Sequence, residues 1–480
     1  MYRLIFLKYL PAGMIFLIIL PGCRKFIQVD PPVSSITSST VYTNNGTAAS
    51  VVTGIYDQME FNPTGLSDGD ESIGYLTGLM SDELKSYNSS WNQYYTNSLS
   101  GTGTYFWREI YNQIFTTNAV LEGLAGATGV TAPMKQQLTG EVKFMRAFFY
   151  FYATLLYGDV PLATSTDYQV NNTLHRSPQS DVYKLVVQDL QDAQAALPAG
   201  YVNSSGAASS YRVRPNQGAA TALLARAYLY LKDWTNAGDQ ASQLINNTAT
   251  YQLDTSLNAV FLGANTGTSN KEAIWQLQPV SPGTNTWNGN NYVLTSAPGT
   301  GSGYVAMNDI LYGAFEGGDK RQSNWVNSIT TGGATYYYSY KYKIGTTNTS
   351  NPIIEYNMVL RLAEQYLIRA EAREQLGDST GAVQDLNVIR NRAGLGDYAG
   401  PADKASLLAA ILHERQVELF TEWGHRWFDL IRTGNINSVM GSPGNVCAAK
   451  GGHWDPNWAL FPLPNQELIN NRNLTQTLGY

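Results

Sequence analysis

Three apolar segments that each contain an Arg-Ala pair constrain the fold more than any other feature of the sequence. The pairs are Arg146-Ala147, Arg226-Ala227 and Arg369-Ala370. The apolar residues around each pair recur with the period of a helix. After the second and third segments, a short turn containing Asp or Gly leads into another helix that opens on an alanine. This helix-turn-helix pattern is typical of tetratricopeptide repeats, which bury their apolar faces by stacking. The sequence therefore predicts a mainly α-helical fold on a helical-repeat scaffold.

The scaffold is expected to carry long insertions. After the first Arg-Ala segment, residues 158–161 leave the helix for an extended stretch. Residues 62–104 and roughly 262–350 are poor in helix signals, and loops of that length are usually functional. Alternation at 273–278 predicts one short strand within the second region. Outside these regions, apolar periodicity predicts helices over 46–60, 105–124 and 404–432.

Aromatic residues stand among small polar residues in both of these regions. Residues 89–98, SSWNQYYTNS, fit neither helix nor strand periodicity and are predicted to form a surface loop with exposed rings. Aromatic faces pack on the C–H faces of sugars, while amide groups bind sugar hydroxyls. The candidate ligand-binding residues are Trp91, Asn92, Tyr94, Tyr95, Trp287, Asn290, Tyr292 and Tyr304. We expect the two regions to converge on one site. The alternative is that these rings hold the loops in place or contact a partner protein.

The composition favours an uncharged polar ligand. Charged residues make up only 14% of the 480 residues, whereas the chain contains 32 Tyr and 10 Trp. The net charge of −6 argues against a nucleic-acid partner, because such proteins need a basic face.

The first 22 residues resemble a bacterial lipoprotein signal peptide. A short basic start and an apolar run precede Leu20-Pro21-Gly22-Cys23. Cleavage and acylation at Cys23 would attach the protein to a membrane without spanning it. An ordinary secretory signal or an uncleaved anchor are the alternatives. If Cys23 is acylated, Cys447 has no partner, so no disulfide is expected. The mature chain is predicted to be one compact unit with an N-terminal region, 23–262, and a C-terminal region, 263–480.

Signals for catalysis and metal binding are weak. Glu414, Glu418 and Glu422 line one face of a predicted helix, where like charges require cationic partners. We interpret them as members of structural salt bridges. The candidate partners are Arg369, Arg390, Arg415, Arg426 and Arg432. Neither Cys447 with His453 nor the acidic segment 68–71 completes a metal-ligand pattern. No catalytic residue, metal or cofactor is predicted.

Four runs of the sequence occur in a fixed order along the chain: CRKFIQVDPP, MRAFFYFYATLLYGDVPL, ERQVELFTEWGHRWFDLIRTG and the ending from LFPLP to LTQTLGY. Together these runs resemble the SusD/RagB family of Bacteroidetes outer-membrane lipoproteins. The resemblance extends over essentially the whole chain. It implies a helical, non-catalytic protein that binds glycans, or in some members peptides. It also implies a lipid anchor in the outer membrane, facing the cell exterior, and delivery of the ligand to a SusC-like TonB-dependent transporter.

The resemblance leaves two other functions open. A peptide-binding protein for oligopeptide uptake would tolerate loss of the loop Trp residues. A glycoside hydrolase would need a pair of carboxylates across a cleft. Because Arg24 and Lys25 follow Cys23 directly, with no acidic residue before Asp30, exposure at the cell surface is implied by the resemblance and not by the leader.

Overall fold

A computed structural model describes most of the chain after the N-terminal segment. The described residues are 41–60, 66–67, 69–103, 105–263, 270–300, 303–345 and 352–480. The predicted signal peptide, Cys23 and Asp68 lie outside these ranges. No helix within them combines the length and apolar character needed to cross a membrane.

The described residues contain nineteen helices and six short strands. The helices are α1 Asn45–Glu60, α2 Ile73–Met80, α3 Asn92–Tyr95, α4 Tyr105–Ala125, α5 Ala132–Tyr157, α6 Tyr168–Asn171, α7 Gln179–Ala196, α8 Gln217–Tyr230, α9 Trp234–Asn246, α10 Trp287–Tyr292, α11 Asp309–Gly313, α12 Lys320–Trp325, α13 Leu362–Gln375, α14 Ser379–Arg392, α15 Lys404–Leu419, α16 His425–Arg432, α17 Ile436–Met440, α18 Val446–Ala449 and α19 Asn465–Asn470. The strands are β1 Leu84–Ser86, β2 Ala273–Leu277, β3 Val305–Met307, β4 Val326–Thr331, β5 Ala334–Ser339 and β6 Asn357–Arg361. The mainly α-helical fold is confirmed.

The long helices pack consecutively, as the repeat pattern predicts. Helices α4, α5, α7, α8, α9, α13 and α14 form a series of neighbours, and α15 closes the series against α13 and α14. The arginine of each Arg-Ala pair makes a buried ion pair with a carboxylate of a helix packed nearby. These pairs are Arg146 with Asp189 at 2.7 Å, Arg226 with Glu364 at 2.6 Å, and Arg369 with Asp385 at 2.7 Å. The alanine allows close approach of the helices, and the arginine joins them.

The predicted helix over 404–432 is wrong in one respect, because it is two helices. Helix α15 ends at Leu419 and α16 begins at His425. Between them, Thr421, Trp423 and Gly424 have φ angles of 56°, 47° and 73°, which an α-helix does not allow. The break points the Trp423 indole into the core, where its Nε1 donates to the Met358 carbonyl at 2.9 Å.

The two regions that lack helix signals contain more structure than the sequence predicts. The segment 89–98 is not a loop: a 3₁₀ turn at Ser89–Trp91 leads directly into α3. The Asn88 side chain caps this turn by accepting from the Ser90 amide at 2.9 Å. The described ranges contain three antiparallel two-stranded sheets, β1–β3, β2–β6 and β4–β5, and β2 confirms the predicted strand. The β1–β3 sheet joins the first region to the second.

The three glutamates Glu414, Glu418 and Glu422 belong to a buried ion-pair network, as interpreted from the sequence. Their partners, however, are mostly residues that the sequence did not indicate. These contacts are Arg321 with Glu414 and Glu418, Arg361 with Glu418 and Glu422, Lys341 with Glu422, and Arg392 with Glu418. Of the predicted partners, only Arg390 approaches this set, at 3.5 Å from Glu414. The others pair elsewhere: Arg415 and Arg432 with Asp429, Arg426 with Asp82, and Arg369 with Asp385.

Candidate ligand-binding surface

A buried tyrosine on α2 joins the two aromatic-rich regions. The Tyr75 ring contacts Trp91 edge-on, with ring centroids 6.5 Å apart, and stacks on Tyr292 at 5.8 Å. The two regions therefore converge, as the sequence predicts. The sequence analysis did not single out Tyr75 as a residue that joins the two regions, because it lies in a segment that is poor in helix signals. The available signal was Ser72 followed by the apolar run IGYLTGLM, a capped helix start.

The expectation of exposed loop rings is wrong for three of the candidate residues. Only 6% of Trp91, 0% of Tyr94 and 2% of Tyr292 is exposed. Tyr94 also donates its hydroxyl to the Gly103 carbonyl at 2.7 Å and packs against Phe461. Burial of large aromatic rings stabilises a fold strongly, and the 3₁₀ turn, α3 and α10 each turn one of these rings inward. They hold the segments in place, which was the alternative interpretation of the pattern.

Four other tyrosines remain accessible where the regions meet. Tyr87 and Tyr304 are 41% and 38% exposed, and Tyr95 and Tyr336 are partly exposed. The Tyr87 and Tyr336 rings meet edge-to-face at 5.7 Å, and the Tyr87 amide donates to the Tyr304 carbonyl at 2.8 Å. We call Tyr87, Tyr95, Tyr304 and Tyr336 the tyrosine surface. Sequence analysis missed Tyr87 and Tyr336; the available signal was the tyrosine-rich run 336–342.

Polar and charged groups border the tyrosine surface. Lys85 on β1 and Asp309 on α11 form an accessible ion pair at 2.6 Å. Burial raises the pKa of Tyr95, and the charges of Lys85 and Asp309 also act on this hydroxyl, which places all three in one neighbourhood. Asn92 is exposed one turn before Tyr95. Rings beside hydroxyl, amide and charged groups are the combination that sugar binding requires.

Helix α10 carries the remaining predicted residues. Trp287 and Asn290 are half-buried on this helix, which Thr286 caps by accepting from the Gly289 amide at 2.9 Å. Tyr292, at the end of the same helix, is the ring that stacks on Tyr75. The inward ring therefore anchors the helix, while Trp287 is only half-buried. The binding of ligand by Trp287 and Asn290 stays a prediction.

A buried lysine supports the tyrosine surface from the interior. Lys450 Nζ donates to the carbonyls of Leu79, Met80 and Ser81 at 2.8, 2.8 and 3.0 Å, which caps the end of α2. Its Nζ also lies 5.3 Å from the centre of the Tyr95 ring. Burial lowers the pKa of Lys450 to about 7. One buried side chain thus contacts both the helix that carries Tyr75 and the ring of Tyr95.

Cys447 has a packing role near the same segment. Its thiol is buried and donates to the Thr96 carbonyl at 3.5 Å. His453 packs against the Trp458 ring. Among the described residues, no three His, Cys, Asp or Glu side chains are grouped so that they could hold a metal ion.

Replacing Glu83 with glutamine is expected to stabilise the protein increasingly as the pH rises. Glu83 precedes β1, and burial, reinforced by Asp82, raises its pKa to about 8. The folded state therefore binds more protons than the unfolded chain between about pH 4.5 and 8. The stability contributed by this carboxyl is complete below its unfolded pKa and is lost as the pH approaches 8.

Thermal unfolding of Glu83→Gln and the wild type at several pH values tests this linkage. The two melting temperatures should be similar near about pH 4 and should separate up to about pH 8, with the variant higher. A difference that does not change with pH would contradict the assignment of a neutral buried Glu83.

Comparison with known proteins supports the relationship suggested by the sequence. Residues 283–480 match the profile of the family described as the SusD family. Residues 25–229 match the profile described as starch-binding associating with outer membrane. The chain belongs to the SusD/RagB family.

Similar proteins come from Formosa agariphila and from Bacteroides species. SusD-like protein P2 of Formosa agariphila is 27% identical over 417 residues, which is 78% of this chain and 80% of that protein. The starch-binding protein SusD of Bacteroides thetaiotaomicron is 32% identical over 128 residues, or 25% of this chain and 21% of that protein.

Solved structures share the SusD fold. A SusD superfamily protein from Bacteroides vulgatus superposes with a TM-score of 0.77 at 22% identity, covering 92% of this chain and 100% of that one. A structure described as a laminarin binding SusD-like protein has a TM-score of 0.74 at 25% identity, with the same two coverages. The chain therefore belongs to a carbohydrate-binding family that is associated with the outer membrane.

Proposed function

We propose that this protein is a non-catalytic, cell-surface lipoprotein that captures oligosaccharides or polysaccharides on the tyrosine surface. It then delivers them to a SusC-like TonB-dependent transporter of the outer membrane. The observation that carries the proposal is the group of accessible tyrosines beside the Lys85–Asp309 ion pair, where two separate regions of the chain meet. Asn92, Trp287 and Asn290 extend this binding surface in the proposal.

Capture would use the two kinds of surface that a sugar presents. The pyranose C–H face packs on a tyrosine ring, and the hydroxyl edge binds to Lys85, Asp309 and Asn92. Rings that are already exposed gain little net free energy from each contact, so single sites should bind on the order of micromolar to millimolar. A polymer that touches several rings at once binds more tightly than any single unit.

The related proteins support a glycan as the ligand. Among the similar proteins, one is described as laminarin binding and another as starch-binding. Laminarin and starch are both neutral glucans, and a neutral ligand suits a chain with few charged residues. These two classes are therefore the first probes.

The anchor and the transporter are proposed from the leader and the family. Lipid at Cys23 would hold the protein at the outer membrane, facing the exterior, where large glycans arrive. Delivery then requires a channel partner, and the SusC-like transporter is the partner that the family resemblance implies.

The state of the glutamates supports a role without catalysis. Glu414 and Glu418 are at most 1% exposed and bind Arg321. Burial alone would raise the pKa of Glu418, but Arg392, Arg361 and Arg321 lower it well below its usual value. Glu418, held charged among arginines and away from solvent, cannot protonate a glycosidic oxygen, and burial keeps Glu414 away from any substrate.

A binding screen of residues 24–480 against neutral and acidic polysaccharides tests the proposal. For a glycan that binds, Tyr87→Ala and Tyr304→Ala should each weaken binding on the order of tenfold, because each removes about 1.4 kcal/mol of ring contact. Trp287→Ala is measured in the same series. Tyr168→Ala is the matched control, since Tyr168 is 68% exposed on α6, outside this surface.

Two outcomes of the screen would contradict the proposal. Full affinity in all three surface variants would move the ligand away from the tyrosine surface. Binding of peptides and of no glycan would establish the peptide-uptake alternative. Folding of each variant is checked by its thermal unfolding transition.

A further inference from the structure

A cleft elsewhere on the protein is built from elements that do not contribute to the tyrosine surface. It lies between α1, the loop that contains residues 202–211, and residues 278–280 after β2, and its volume is about 630 Å³. Clefts of roughly 300–1,000 Å³ are the usual size of small-ligand sites. The cleft can therefore hold a ligand of one to a few sugar units.

The floor of the cleft is rigid and electrically balanced. Tyr56 donates its hydroxyl to Glu141 at 2.6 Å, and Arg214 forms an ion pair with the same carboxylate at 2.8 Å. Arg214 also donates to the Thr53 hydroxyl at 2.9 Å. Glu141 is fully buried, so this network is fixed before any ligand arrives. Because Glu141 offsets the charge of Arg214, the floor does not select for an anion.

The rim combines an accessible ring with polar groups. Tyr211 and Val280 are each 38% exposed, and the side chains of Asp57 and Gln278 are also exposed at the cleft. The loop that carries Tyr211 is held locally, since the Asn203 side chain accepts from the amides of residues 205 and 207 at 2.9 and 3.1 Å. A ring, a carboxylate and an amide thus face one cleft with a fixed floor.

We propose that this cleft is a second saccharide site that takes a neutral pyranose unit. The sugar face packs on Tyr211 and Val280, and its hydroxyls bind to Asp57 and Gln278. The choice of a saccharide rests on the proposed function, whereas the existence of the site rests on the cleft itself. Two sites on one protein would let a single polymer bind both, which raises avidity without tighter contacts at either site.

Methyl NMR of the isotope-labelled mature chain reports each site separately. Val202 and Val280 report the cleft, while Val305 and Ile310 lie beside Tyr304 and Asp309 and report the tyrosine surface. The probes are laminari-oligosaccharides and malto-oligosaccharides. We expect saturable shifts of the Val202 and Val280 methyl signals with at least one probe. Tyr211→Ala should weaken that binding on the order of tenfold, while Tyr87→Ala and the control Tyr168→Ala leave it unchanged.

The outcomes separate this proposal from the proposed function. Shifts at Val305 and Ile310 alone would overturn the second site and support the first. Shifts at Val202 and Val280 alone would support the second site and contradict the first. Cleft shifts that persist unchanged in Tyr211→Ala, or an absence of cleft shifts with every probe, would overturn the second site.

Discussion

Replacing Arg361 with methionine is expected to lower the free energy of unfolding by about 3–5 kcal/mol, because it removes the cation that three buried carboxylates share and leaves their charge only partly balanced. Arg361 contacts Glu272, Glu418 and Glu422 at 3.1, 2.5 and 2.8 Å. Burial lowers the pKa of Arg361, but these three carboxylates outweigh burial and hold the pKa well above its usual value. Chemical denaturation of the variant and the wild type measures the difference.

Arg108→Met is the matched control for Arg361→Met. Arg108 pairs with Glu109 at 2.8 Å, but its side chain is 73% exposed. Exposed ion pairs contribute little to the free energy of unfolding, so the stability of this variant should stay within about 0.5 kcal/mol of the wild type. Equal effects of the two substitutions would contradict the structural role of the buried network.

Tyr75→Ala is expected to cost about 3–5 kcal/mol of stability, since it removes a fully buried ring. The same ring contacts Trp91 and Tyr292, so its loss also removes an aromatic contact between the two regions that form the candidate surface. Glycan affinity should therefore fall even under conditions where the variant remains folded. Denaturation and binding measurements on one preparation test both effects.

Tyr75→Phe separates the ring from its hydroxyl. The Tyr75 hydroxyl has no hydrogen-bond partner among the described residues. Removal of an unpaired buried polar group is neutral or stabilising, so this variant should match or exceed the wild type in stability and retain binding. A loss of stability as large as that of Tyr75→Ala would contradict the packing account.

The helical scaffold could be predicted because its signals are local. Apolar periodicity fixed the existence of α1 and α4, and the Arg-Ala pairs marked the stacked helices. The identity of the ion partners could not be predicted in the same way. Folding brings Arg321 and Arg361 to Glu418 across long separations in sequence, and no local sequence pattern encodes those contacts.

The candidate binding surface was predicted only in part for a related reason. Composition identified both aromatic regions, and β1–β3 pairing brings them together. Which ring faces solvent depends on the tertiary packing of short elements: α3 turns Tyr94 inward, whereas the edge-to-face contact leaves Tyr87 and Tyr336 accessible. Tyr75, the ring between the two regions, lies in a segment whose short helices were not recognised.

A crystal structure of residues 24–480 with an oligosaccharide from the binding screen tests the central claim most directly. The account predicts sugar rings packed on Tyr87 and Tyr304, with hydroxyls bound to Lys85 or Asp309. The helices beneath, with Tyr75 between Trp91 and Tyr292, should be unchanged. A bound oligosaccharide that leaves the tyrosine surface empty would contradict it.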